Sequence, residues 1–186
     1  MSVISNAKKG FTLVELLIVI AILAVLSAAV VIVLNPAELL AQARDSQRLN
    51  DMDTLRNAIS IYLSQVSSPS LGTACQASAT KGCCNVTGCT SPFTGNGVVV
   101  EDTGTGVDGT GWVSVNLAAL TGGSPIPRLP IDPTNTSTYY YSYINSGLYF
   151  EIDCKLESTK FSGNLTADGG NSATFYEVGN DAGLDL

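Results

Sequence analysis

The sequence contains no histidine. The commonest general acid–base group and transition-metal ligand is therefore missing, which argues against histidine-based catalysis. No CxxC pair offers a thiolate zinc site in its place. Basic residues are scarce too, with 9 Lys and Arg against 16 Asp and Glu and a net charge of −7. Outside the first ten residues their only grouping is Arg44, Arg48 and Arg56, so nothing in the head is suited to neutralising phosphates, and nucleic acid is not expected as its partner. The glycine motifs of nucleotide sites and nucleophile elbows are absent, since Gly104-Thr-Gly106 lacks a strand–helix setting. Cys, Ser and carboxylates remain as potential catalysts, but their spacing points to none, and the chain is read as a non-enzyme.

What is present is an apolar run from Phe11 to Leu34, broken near its start by Glu15. It is long enough to cross a bilayer, which needs about 20 residues at about 1.5 Å each. A carboxylate in such a run is costly and asks for a partner. The run offers no cation, so the partner is expected from outside it. Before the run stands a short stretch of nine residues, Met1 to Lys9, ending in Lys8-Lys9, then Gly10. Lysines flanking an apolar span stay cytoplasmic, which places the rest of the chain on the far side. A secretory signal has a shorter apolar region, about 7–15 residues, and a small-residue cleavage site after it. Asn35-Pro36-Ala37-Glu38 offers no such site. Two readings follow: an uncleaved single-pass anchor with a stray acid, or a retained span whose acid is used.

The stretch Lys8-Lys9-Gly10-Phe11-Thr12-Leu13-Val14-Glu15-Leu16-Leu17 resembles the type IV prepilin and pseudopilin signature, a basic leader ending in Gly and then Phe-Thr-Leu-Val-Glu-Leu. The resemblance implies a leader at 1–10, cut between Gly10 and Phe11 by a prepilin peptidase, with N-methylation of Phe11 and an assembly role for Glu15. Cleavage would create an ammonium at Phe11 that can meet the carboxylate of Glu15 in the same helix or in a neighbouring subunit. Losing Lys8 and Lys9 with the leader would take the net side-chain charge from −7 to −9. The implied partners are other pilin-like subunits in a homopolymer, the peptidase, a motor, an inner-membrane assembly platform and the membrane itself.

With 186 residues, the chain has room for one long helix and one small head. A membrane-spanning, filament-core helix is expected over 11–34, with a kink or short break at Asn35-Pro36. An amphipathic helix within 35–66 then continues into the head. Its apolar stripe is Met52, Leu55, Ile59, Tyr62, Leu63 and Val66. Arg44, Arg48 and Arg56, beside Asp45, Asp51 and Asp53, read as its solvated face. Residues 67–186 form a Gly/Ser/Thr-rich β head with a C-terminal loop. Strands are expected at Val98–Val100, Trp112–Val115, Tyr139–Ile144, Leu148–Asp153 and Thr174–Val178, with a hairpin turn at Asn145-Ser146-Gly147. Leu129 to Pro133 is a loop leading into the hairpin. The fold class is α+β, a long N-terminal helix packed on a small antiparallel sheet.

Cys75, Cys83, Cys84, Cys89 and Cys154 all lie beyond the apolar run, where disulfides are the default on the exported side. An odd count leaves at least one thiol unpaired. Cys83 and Cys84 are adjacent and each is expected to pair elsewhere, so that one or two bridges staple the Cys75–Cys89 loop, with Cys154 tying it to the hairpin. Two loops are rich in oxygen ligands of the kind Ca²⁺ takes. One runs from Glu101 to Gly109; the other holds Asp168, Asn171, Asp181 and Asp185. Some major pseudopilins carry Ca²⁺ in a C-terminal loop, and the resemblance extends that expectation to the second set. Turns without an ion are the competing reading, and no other cofactor is expected.

The functional expectation is a structural subunit of a type IV pilus-like filament, single-pass in the membrane before assembly. Its N-terminus would be cytoplasmic and its head extracytoplasmic, and the processed subunit would end in a pilus or pseudopilus. The alternatives are a pseudopilin of type II secretion or DNA uptake, or a monomeric membrane-tethered binding domain.

Overall fold

Asn35-Pro36 divides the helical part of the chain in two. In the computed structural model, which describes residues 10–75, 81–93 and 98–186, helix α1 covers Leu13–Leu34 and helix α2 covers Pro36–Gln65. The leader with Lys8 and Lys9 lies outside the described residues. Asn35 sits in the left-handed region, at φ 40°, and closes α1. Pro36 then opens α2, where its missing N–H and fixed φ suit the first helical position. The Asn35 side-chain and backbone oxygens both accept from the Glu38 N–H, at 3.4 and 3.0 Å. One residue thus ends one helix and caps the next. The chain forms two compact units, one up to Leu40 and the other from Ala41 to Leu186.

Within the second unit, Met52, Leu55, Ile59 and Tyr62 are buried as the periodicity requires, while Leu63 and Val66 pack at the margin. Burial of a Leu or Ile side chain contributes about 1.5–3 kcal/mol. This stripe joins one core with Tyr141, Tyr143, Phe150, Ile152 and Val178. The sheet has five strands in the order β2-β1-β3-β4-β5, with β1 at Lys81–Cys84, β2 at Val98–Glu101, β3 at Tyr141–Ser146, β4 at Tyr149–Cys154 and β5 at Tyr176–Gly179. β3 pairs antiparallel with both β1 and β4, and β4 with β5, whereas β1 pairs parallel with β2. The chain is α+β with a mostly antiparallel sheet.

Three expectations need adjustment. The hairpin turn is Gly147-Leu148, because Ser146 already pairs with Tyr149. Gly147 has φ 65°, the first-position glycine of a type II′ turn, which matches the strand twist. Trp112–Val115 is not a strand. Its apolar residues do not alternate, and it crosses the core as a loop, with Trp112, Val113 and Val115 fully buried. The Trp112 indole N–H is satisfied by the Pro130 carbonyl at 3.0 Å. Finally, β1 lies on Lys-Gly-Cys-Cys, which carries no strand pattern and gains its place by pairing.

Strand alternation sorts the hairpin side chains onto two faces. Tyr141, Tyr143, Phe150, Ile152 and Cys154 enter the core. Glu151, Asp153 and Glu177 lie on the opposite face, with Asp153 directly across from Glu177.

Candidate functional site

The start of α1 is built by Thr12 and Glu15. Thr12 is extended, with φ −80° and ψ 150°, and its hydroxyl accepts from the Glu15 N–H at 3.2 Å. The Glu15 carboxylate reaches back, and its Oε2 accepts from both the N–H and the hydroxyl of Thr12, each at 2.9 Å. This capping box satisfies N-terminal donors that a helix leaves open. The only other polar side chain in α1, Ser27, donates to the Leu23 carbonyl at 2.7 Å. Each polar group in the run therefore has a partner within its own helix. Thr12 is the partner that reading for cations alone overlooked; a Thr three residues before a Glu was the available signal.

The apolar surface has no such internal outlet. α1 buries no residue against its own chain, and the helix is long and apolar enough to cross a membrane. Among the described residues, no atom lies within 4 Å of where a Cβ on Gly10 would stand, and Phe11 is 84 % exposed.

Residues 5–31 match the family model described as the prokaryotic N-terminal methylation motif. The chain carries the type IV prepilin motif. No curated protein and no solved structure matches it. The motif supports a pilin-like or pseudopilin protein, for which a peptidase and filament assembly are implied in general, and with α1 it fits membrane anchoring.

In the head of this prepilin-like chain the solvated arginine face holds at Asp53 and Arg56, which are exposed, and is corrected at Asp45 and Arg48. Arg48 and Asp45 are fully buried. Arg48 donates through Nε and Nη2 to the two oxygens of Asp132, at 2.6 and 2.9 Å, and through Nη1 to Asp45 at 2.8 Å. Its Nη2 also lies 2.6 Å from Glu157, and the guanidinium sits 5.0 Å from the centre of the Tyr139 ring. Asp45 accepts from the N–H groups of Glu157 and Ser158 and from the Ser158 hydroxyl. Arg44 also binds Glu157, donating through Nε at 3.0 Å to the same Oε1 that Arg48 contacts. One helical turn thus fastens α2 to the loops at 132–135 and 157–158. Burial alone would raise the Asp132 carboxyl, but Arg48, the Thr134 hydroxyl and the amides of Thr134 and Asn135 hold it below its ordinary range. The bond from Arg44, followed by that from Arg48, keeps Glu157 low as well. The i, i+3 pair Asp45/Arg48 was visible in the sequence; its partner 84 residues on was not.

The cysteines form two short loops, Cys75–Cys83 and Cys84–Cys89. Adjacent residues of β1 point to opposite faces, so Cys83 joins the main core and Cys84 a smaller cluster with Cys89 and Tyr140. Cys154 does not tie the loop to the hairpin. It is a free thiol buried on the core face of β4, and burial pushes it well above its ordinary value.

The oxygen-rich loops spend several oxygens on backbone amides of their own or of neighbouring segments. Asp102 accepts from Gly104, Asp108 from Thr110 and Glu101 from Gly88. Asp168 accepts from the amides of Gly170 and Glu177, and Asp181 from that of Asp185. Asn171 and Asp185 are exposed. Among the described residues, the acids whose oxygens converge are Glu151, Asp153 and Glu177.

Proposed function

We propose that the chain is a structural subunit of a type IV pilus-like filament. A prepilin peptidase cuts between Gly10 and Phe11, Phe11 is methylated, and the subunit leaves the membrane to polymerise through α1 on an assembly platform. In the filament the Glu15 carboxylate meets the Phe11 ammonium, from its own or a neighbouring subunit, and a shifted register would leave the charge unpaired in an apolar bundle. Heterologous contacts of this kind extend without closing a ring.

The observation that carries this reading is the methylation motif at residues 5–31, set on a helix that buries nothing against its own chain. The two disulfides support an extracytoplasmic head, since such bonds persist in oxidising compartments. The deciding experiment is mass spectrometry of the N-terminus in sheared filament material. A chain beginning with N-methylated Phe11 is expected; assembled protein that retains Met1 would sink the proposal.

A further inference from the structure

The sheet face away from the core carries three acids with little water. Glu151 and Asp153, two residues apart on β4, share it with Glu177 on β5. Their relative exposures are 2, 1 and 2 %. One oxygen from each lies within 4.8 Å of the others. Like charges facing each other across a strand pair repel, and buried carboxylates normally require a compensating charge or metal.

The surroundings orient these groups without neutralising them. Glu151 Oε2 accepts from the Leu186 N–H at 3.0 Å, and Glu177 Oε2 accepts from the Ser172 N–H at 2.8 Å. Asp153 Oδ1 accepts from no donor, and the side-chain hydrogen-bond neighbour of the Asp153 carboxyl is Glu151 within the same cluster. The C-terminal segment covers the face: Leu184 is buried and lies 2.9 Å from where a Cβ on Gly179 would stand. Burial, followed by the charge of Glu177 and then Asp181, pushes the Glu151 carboxyl up to about 7. Burial and then the charges of Glu151 and Glu177 drive Asp153 well above its ordinary value.

We propose that Glu151, Asp153 and Glu177 form a Ca²⁺ site between β4 and β5, with the unpartnered oxygen of Asp153 at its centre. The donors are all hard oxygens, which excludes a thiolate- or imidazole-seeking metal. Calcium ligands stand 2.3–2.6 Å from the ion and tolerate irregular geometry, so one ion spans oxygens up to about 5 Å apart. Backbone amides already fix one oxygen of each glutamate, the arrangement expected of supported ligands. The site differs in residues from the loop set Asp168, Asn171, Asp181 and Asp185, and it stands whether or not the filament reading holds.

The test uses the full chain in detergent micelles, stripped with EDTA and titrated with CaCl₂. Equilibrium dialysis should find one ion per chain. The melting temperature should rise by about 5–10 °C at a calcium concentration about 100-fold above Kd. Asp153→Asn and Glu177→Gln should abolish that rise yet melt no lower than the parent in EDTA, since each removes a repelling charge; the second variant serves if the first fails to fold. Asp185→Asn and Asn171→Ala should leave the rise intact. An unchanged melting temperature in CaCl₂ would overturn the site. So would a rise that survives in both strand variants or disappears only in the loop variants, and an equal rise with MgCl₂ alone would overturn its assignment to calcium.

Discussion

Replacing Arg48 with Met tests whether the head depends on a buried charge cluster or only on its apolar core. The substitution keeps most of the stem volume and removes the guanidinium. Asp132 would lose both of its bonds to Arg48 and Asp45 its ion pair, while Glu157 would retain Arg44. Asp45 and Asp132 would then be buried without their shared cation. Removing one partner of a buried pair costs about 3–5 kcal/mol. Asp132 keeps the Thr134 hydroxyl and two backbone amides, and Asp45 keeps its bonds from Glu157 and Ser158, which argues for the lower part of that range. For a domain of this size each kcal/mol moves the melting temperature by roughly 2–4 °C, so a fall of about 10 °C is expected. Near-UV circular dichroism of the full chain in micelles at pH 7 would follow it. Adding Asp132→Asn to Arg48→Met should recover part of the loss, because the stranded charge goes with its partner. A single variant melting within 1–2 °C of the parent, as a rough limit, would refute the buried-cluster argument.

Three further outcomes follow from the same geometry. Asp132 has a folded pKa below its unfolded value, so its stabilisation is complete above about pH 4 and is lost as pH falls through the lower folded value. Melting curves between pH 7 and pH 2 should therefore show a shallower acid limb for Asp132→Asn than for the parent, and identical limbs would contradict the assignment. Thiol titration without reductant should find no reactive cysteine in the native chain and one, Cys154, after unfolding; two or more after unfolding would break the bridge assignment. At the helix start, Glu15→Gln can still cap Thr12 but carries no charge, whereas Glu15→Ala does neither. Filament yield should collapse in both if the pairing with the Phe11 ammonium matters, and normal yield from Glu15→Gln would leave capping as the role of this residue.

The parts legible in the sequence were those encoded locally. The stripe from Met52 to Tyr62 follows a 3.6-residue period, and the break at Asn35-Pro36 has its own chemistry. The Tyr-rich hairpin showed its strands and missed its turn by a residue. What escaped depended on distant partners. Lys81–Cys84 is a strand because β2 and β3 flank it. Trp112–Val115 is a core loop because Pro130 and Leu71 satisfy its polar groups. Arg48 is buried because Asp132 and Glu157 come to it from the far end of the chain. The acids at 151, 153 and 177 were passed over for loop acids for a related reason: alternation places 151 and 153 together, but only strand pairing brings 177 across from them.

The division of labour between the two units bears on why Glu15 stands in an apolar helix. The head holds its own core, its own ion cluster and both disulfides, so it has no need of α1 for stability. α1, in turn, has its polar groups capped internally and its apolar surface uncovered. Such a helix can exchange one apolar environment for another, lipid for the α1 helices of other copies, without unsatisfied backbone groups at either stage. Apolar contacts alone would hold helices together at many registers, because lipid and leucine surfaces are similarly apolar and the stripe is featureless along its length. A charge near one end breaks that degeneracy. Under the proposed processing, Glu15 is occupied by Thr12 while the leader is attached, and freeing Phe11 would bring an ammonium beside the same carboxylate and give it a partner to align to.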